Sequence, residues 1–197
     1  MLNIQSEANR CLQCKIPRCR TGCPISTPIP QAIALFKLGK LQEAAQMLFD
    51  NNPLSLVCAI VCDHDKQCEG HCVKGIKESP VEWGSIERFI SDTYLERVQI
   101  EKAPSTGKSV AVIGSGPAGM SAAIELIRRG HEVTVFEAQS EIGGMVRYGI
   151  PEFRLPKSIL DRYAKKMKAA GIRFRLHTAV GSSITIEDML RDGYQAV

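Results

Sequence analysis

Residues 109–137, SVAVIGSGPAGMSAAIELIRRGHEVTVFE, decide the second half of the fold. SVAVIG (109–114) is a short, apolar, β-branched run of the kind that forms a buried parallel strand. Residues 117–129 carry a helical pattern, Gly130 stands where a helix cap belongs, and HEVTVFE (131–137) predicts a second strand. Strand, helix and strand together make the start of a βαβ fold. Inside it lies GSGPAG, residues 114–119, which fits G-x-G-x-x-G. Gly114 permits the tight turn, Gly116 lets the backbone approach a pyrophosphate, and Gly119 lets the helix pack close to the sheet. Backbone N–H groups at the helix N-terminus favour phosphate charge. Glu137 closes the second strand 23 residues after Gly114. A carboxylate there can accept bonds from a ribose diol and repels a 2′-phosphate, which argues against NADP at this loop. The plain alternative is a glycine-rich turn that binds nothing. Further on, residues 157–169 predict a helix, IRFRLH (172–177) a strand, and DGYQAV (192–197) the start of another strand. An exposed edge there would favour self-association.

Toward the N-terminus the chemistry changes. RCLQCKIPRCRTGCP, residues 10–24, packs Cys11, Cys14, Cys19 and Cys23 into thirteen positions. Cys58, Cys62, Cys68 and Cys72 follow in a second run, and the 125 residues after Cys72 contain no cysteine. Disulfides, zinc and iron–sulfur clusters compete for these sulfurs. The start, MLNIQSEANRC, has no basic segment followed by an apolar core, so it does not read as a signal peptide, and the chain is expected in the cytoplasm with its thiols reduced. That disfavours disulfides. His64 and His71 among C-x2-C pairs keep zinc in view. The run C-x2-C-x4-C-x3-C-P instead suits iron–sulfur ligation. Counting alone gives two sites of four cysteines, Cys58 included, because Cys58 and Cys62 stand four apart on a predicted helix.

Ile33, Phe36, Leu41, Ala44, Ala45 and Leu48 recur at helical spacing around a break at Gly39, with a helix start near Ser26 or Thr27, and SIERFISDTYLERV (85–98) predicts a further amphipathic helix. The chain is therefore expected to divide into an α-helical cysteine-bearing domain (1–98), a polar linker (99–108) and an α/β Rossmann-like domain (109–197) that is incomplete at its C-terminal end. The net charge is +4, with 11 basic against 11 acidic residues in 1–100 and 14 against 10 in 101–197. With no basic block interleaved with aromatics, a nucleic-acid partner is not suggested. No apolar run reaches the length of a membrane span.

Five segments together carry a closer resemblance: RCLQCKIPRC…GCP, NPLSLVCAIVC…CEGHC, PVEWGSIERF, VAVIGSGPAGMSAA and GGMVRYGIPEFRLPK. With these the chain resembles the N-terminal part of the glutamate synthase small (beta) subunit family. That group also includes the amino-terminal half of dihydropyrimidine dehydrogenase and the large subunit of NADH-dependent ferredoxin:NADP oxidoreductase. The resemblance implies two 4Fe–4S clusters in the helical domain and FAD in the Rossmann-like domain. It implies ligands Cys11, Cys14, Cys19 and Cys72 for one cluster, and Cys23, Cys62, Cys68 and a non-cysteine side chain, Glu87, for the other, leaving Cys58 spare. For FAD it implies Gly114, Ser115, Gly116, Pro117, Ala118 and Gly119 at the pyrophosphate, Glu137 at the ribose, Gly143, Gly144 and Met145 in a second loop, Arg154 reaching the cofactor and Val180 beside the adenine. A surface salt bridge is the plain reading of Arg154, and an exposed carboxylate paired with an arginine that of Glu87. No general acid–base dyad or nucleophile is visible.

The implied activity is that of an oxidoreductase subunit, glutamate synthase-like, passing electrons from NAD(P)H through FAD and the clusters to a large catalytic subunit or another electron acceptor. The same module could serve a ferredoxin:NADP, sulfide or pyrimidine reductase, or act as a metal-stabilised docking module without electron transfer. Relatives add a complete NAD(P)-binding domain, and no second glycine fingerprint occurs here. The chain is accordingly expected to be an N-terminal fragment, inactive alone.

Overall fold

The computed structural model describes residues 3–197, and the chain divides into two compact units after Gln99. The first is all-helical: α1 (Ile4–Asn9), α2 (Arg18–Thr21), α3 (Ile29–Lys37), α4 (Leu41–Asn51), α5 (Ser55–Val61) and α6 (Trp83–Tyr94), with two 3₁₀ turns at Glu69–His71 and Val73–Ile76. Asn3 caps α1 by accepting from the Ser6 backbone. Gly39, at φ +74, ends α3 in a conformation that disfavours any residue with a Cβ. The amphipathic faces converge on Ala32, Ile33, Ala44, Leu48, Leu56, Ile86 and Ile90, all buried. Within this core Ser91 Oγ donates to Ser55 Oγ at 3.0 Å, so both hydroxyls on the α5–α6 contact are satisfied.

One buried carboxyl group ties down α1. Glu7 is 5% exposed, and its Oε1 accepts from Arg10 Nη1 at 2.6 Å and from the Glu82 backbone at 2.9 Å. Arg10 donates onward to the carbonyls of Ser79 and Pro80. This latch ties the start of the first cysteine run to the segment that follows Cys72. It also shifts a boundary. The helix predicted over 85–98 begins at Trp83, because Glu7 holds the Glu82 backbone and Trp83 is a buried anchor. It ends at Tyr94, in a turn closed by Val98 N onto the Tyr94 carbonyl.

The second unit carries β1 (Ser109–Ile113), α7 (Pro117–Arg128), β2 (Glu132–Phe136), α8 (Met145–Tyr148), α9 (Lys157–Ala169), β3 (Arg173–Arg175) and α10 (Ile186–Arg191). The sheet is parallel in the order β1-β2-β3, with Ala111 opposite Thr134 and Thr134 opposite Arg173. A parallel bridge from Val110 to Ala196 sets the C-terminal residues on the other side of β1, where Ala111 N donates to Ala196 O at 3.0 Å. The predicted strand at 172–177 is shortened to three residues, since His177 turns left-handed at φ +53. Residues 103–108 run alongside, Ala103 N donating to Arg128 O and Glu132 N to Lys108 O. One face of the sheet buries Val133 and Val135; α7 buries Met120, Ile124 and Ile127, and α9 buries Leu160, Tyr163 and Met167. On the other face Ala111, Phe136 and Met189 gather Val180, Ile184 and Tyr194. Among the described residues no helix is long and apolar enough to cross a membrane.

Candidate cofactor sites

All eight cysteines are free thiols, and they sort into two neighbourhoods. Cys11 leaves the end of α1, Cys14 sits in the loop before α2, Cys19 lies on α2, and Cys72 joins the two 3₁₀ turns. Burial pushes the Cys11 thiol up, and Cys14 and Cys72 add to it. Burial likewise pushes Cys19 up to about 11, and its neighbours Cys72, Cys11 and Cys14 add to this. These four line one pocket with Leu12 and Arg18. Cys68 also lines that pocket, as does its neighbour Glu69, but its other electrostatic neighbours, Glu87 and Cys23, belong to the other group.

The second group gathers around Glu87. Burial raises Cys62, helped by Cys23 and Glu87. Cys68 is raised by burial, then by Glu69, Glu87 and Cys23. Cys58 is pushed up to about 11 by burial; Glu87, Cys62 and Cys23 add to this, while a 3.1 Å bond from Asn52 Nδ2 opposes it. Cys58 lies on α5, and Cys62 caps that helix with its backbone N–H on the Cys58 carbonyl at 3.0 Å, so the two stand near one another as the four-residue spacing suggested. Glu87 lies on α6, 5% exposed, which replaces the exposed, arginine-paired reading with a buried carboxylate. Burial pushes it up to about 8 against a bond from the Trp83 side chain. Five candidate ligands thus stand near one another where a cluster takes four.

The two histidines among the cysteines, His64 and His71, pack on glycines. A Cβ at Gly22 would fall 2.4 Å from His71 Nδ1, and one at Gly84 would fall 2.7 Å from His64 Cε1. His71 is exposed and His64 half-buried. Among the described residues no group of three or more His, Cys, Asp or Glu converges tightly enough to hold a single metal ion. A 4Fe–4S cluster is larger than an ion and sets its four ligands farther apart.

The glycine loops meet back to back. Gly114 turns at φ +86, and Gly116 caps α7. A Cβ at Gly119 would fall 2.0 Å from the Gly114 carbonyl, whereas one at Gly114 or Gly116 would meet nothing within 4 Å. The first contact is helix–strand packing; the open side is where a phosphate would lie. Gly143 N donates to the Ser115 carbonyl, and a Cβ at Gly144 would fall 2.8 Å from Gly116 Cα, so the second loop rests on the first. Pro117 and Ala118 are exposed in the first turn of α7, and Met145, exposed, opens α8. Glu137 is buried, which favours its neutral form, but bonds from Ser115 Oγ, Gln139 N and Ser115 N outweigh this and hold the carboxyl below its usual value. Its Oε2 faces the glycine loop through Ser115, while Oε1 accepts from Gln139 N. Arg154 lies exposed in the turn before α9, and Val180 packs with Ala111, Phe136 and Met189.

Sequence reasoning did not find the Ser115–Glu137 tie, nor the polar side chains beside the sulfurs: Thr27 at 3.3 Å from Cys23 Sγ, and Asn52 on Cys58. The serine inside G-S-G was a signal for the first. The second pair had no periodicity or spacing to mark it.

Residues 2–99 match the family described as dihydropyrimidine dehydrogenase domain II, 4Fe-4S cluster, and residues 112–165 match the NAD(P)-binding Rossmann-like domain family. Over 196 residues the chain is 39% identical to the glutamate synthase (NADPH) small chain of Escherichia coli strain K12, covering 98% of this chain and 41% of that one. The same protein of Mycobacterium tuberculosis is 39% identical over 193 residues, 96% of this chain and 39% of that one. The NAD-dependent dihydropyrimidine dehydrogenase subunit PreT of E. coli K12 is 35% identical over 186 residues, 93% of this chain and 45% of that one. The chain thus spans about two-fifths of the length of the curated relatives it matches.

Proposed function

The chain is a homologue of glutamate synthase small chains, with its first half in the dihydropyrimidine dehydrogenase domain II family, and from that premise we propose that it is the electron-carrying part of a cytoplasmic, NAD(P)H-dependent oxidoreductase of the glutamate synthase type, serving a large catalytic subunit. In this reading residues 1–98 hold two 4Fe–4S clusters and residues 109–197 hold FAD, across the linker 99–108. Bound FAD would exchange hydride for single electrons, and bound clusters would carry those electrons one at a time.

The observation that carries the reading is the sorting of the thiols. Cys11, Cys14, Cys19 and Cys72 neighbour one another, and Cys23, Cys62 and Cys68 gather near Glu87. Each set draws on both cysteine runs, as two interleaved ligand sets require. The donor chemistry fits: soft thiolates suit iron–sulfur clusters. Ligation would deprotonate thiols that burial and crowding raise, so loading would release protons. Glu87 brings one hard oxygen donor to the second set and, in our assignment, leaves Cys58 as a spare thiol held by Asn52. In the second unit the open space over Gly114 and Gly116 and the N-terminus of α7 favour a pyrophosphate, and Gly143 and Gly144 keep the neighbouring loop low enough to admit it. Arg154 and Val180 are assigned to the same cofactor.

Anaerobic purification with an absorbance spectrum, iron and sulfide counts and flavin extraction tests this. About eight irons per chain are expected for two 4Fe–4S clusters. Colourless protein with stoichiometric zinc would overturn it.

A further inference from the structure

The loop after Cys23 is built around one hydroxyl. Thr27 is 3% exposed, and its Oγ1 lies 3.3 Å from Cys23 Sγ. The turn that brings it there is strained. Ser26 is left-handed at φ +53, a region non-glycine residues adopt only when their surroundings demand it. The surroundings do: Ser26 N donates to the Cys23 carbonyl at 2.9 Å, Arg20 Nε donates to the Ser26 carbonyl at 3.2 Å, and Ile29 N donates to the Thr27 carbonyl at 2.8 Å. All three bonds hold the chain in the shape that turns Thr27 back onto the sulfur.

The direction of the proton follows from the partners. Asn51 Nδ2, at the end of α4, stands 3.5 Å from both the Ile25 carbonyl and Thr27 Oγ1. A carbonyl only accepts, so Asn51 presents its N–H groups on this side and cannot take the hydroxyl proton. A cysteine bound to a cluster is a thiolate and has no proton to give. The Thr27 O–H therefore points at Cys23 Sγ.

We infer that Thr27 is a sulfur hydrogen-bond donor that raises the reduction potential of the cluster held through Cys23. The inference rests on the reading of Cys23 as a cluster ligand. A donor aimed at a ligating sulfur stabilises the more negative, reduced cluster, and burial strengthens it by excluding water. Thr27 touches a ligand and not a substrate, so it is a positioning residue.

The test is an anaerobic redox titration of the loaded full chain, followed by electron paramagnetic resonance, on wild type, Thr27→Val and Thr27→Ser. Valine keeps the shape and removes the donor. We expect Thr27→Val to keep its full iron content while one cluster's midpoint falls, the oxidised-to-reduced ratio at a fixed potential rising about tenfold, about 59 mV for one electron. The other cluster should not move, and Thr27→Ser should restore the wild-type value. Thr27→Ala, with the same expected fall, replaces valine if that variant does not load. Equal potentials at full iron content overturn the role of Thr27 and leave the cofactor assignment standing. Wild-type protein that takes up no iron overturns the cofactor assignment itself.

Discussion

In the proposed reading the chemistry of the cysteine-bearing unit would sit at the ends of side chains, while that of the glycine loops would sit on backbone that side chains leave bare. Cys11, Cys19 and Cys62 would work by what they present, in a setting where burial and neighbouring thiols raise each of them. Gly114 and Gly116 would work by what they omit, since a Cβ on either would project into open space. The two regions should therefore fail differently. Removing a sulfur should delete a cofactor and leave the helical core. Adding a methyl group should spoil packing at one glycine and ligand approach at another, a few residues apart.

The largest effect falls on the first region. Cys19→Ala should lose one cluster of the two, taking the count from about eight irons per chain to about four, read by iron and sulfide analysis. Loss of all iron would show the two groups to be one cooperative site. Glu87→Ala should perturb the second cluster, seen as a changed resonance signal or partial iron loss, while Cys58→Ala keeps both. Iron loss in the Cys58 variant would reverse that assignment. Glu87 and Cys58 both neighbour Cys62, so the fold offers either.

Next comes Gly119→Ala. Its new Cβ would stand 2.0 Å from the Gly114 carbonyl, a rigid backbone atom, so the start of α7 must move away from β1. Overpacking of this kind costs about 1–3 kcal/mol, measured by denaturant unfolding of the second unit. Gly116→Ala meets no atom within 4 Å and has an ordinary φ of −66°, so it should unfold like wild type and weaken flavin retention alone. Equal destabilisation by the two substitutions would dissolve the contrast between packing and approach.

Legibility followed the same division. The βαβ start, its cap at Gly130 and the break at Gly39 were readable because spacing and glycine carry them locally. The sulfur neighbourhoods were not readable from spacing, because Cys72 reaches Cys19 across 52 intervening positions of helix and turn. Only resemblance to a family suggested that pairing. The burial of Glu87 was not readable from the helix pattern, in which a glutamate reads as solvent-facing; here too only the resemblance pointed inward, by implying a ligand. Strand β3 was overestimated because nothing in IRFRLH announces that His177 turns left-handed.

The smallest effect tests whether a side chain matters in the glycine region at all. Ser115, wholly buried, gives Glu137 both its backbone N–H and its hydroxyl, and its hydroxyl also accepts from Gly143 N at 3.2 Å. Ser115→Ala removes the hydroxyl and should cost about 1.5 kcal/mol, the usual worth of a bond to a charged group. The sign of its pH dependence is fixed. Glu137 is held below its ordinary value in the fold, so its contribution is present above the unfolded value of about 4.3 and is lost as the pH falls through the folded one. Ser115→Ala raises the folded value toward the unfolded one, so the variant and wild type should differ most above pH 5 and converge in acid. Unfolding curves that stay parallel from neutral pH down to about pH 3 would mean that Ser115 acts on the loop through Gly143 and not through Glu137.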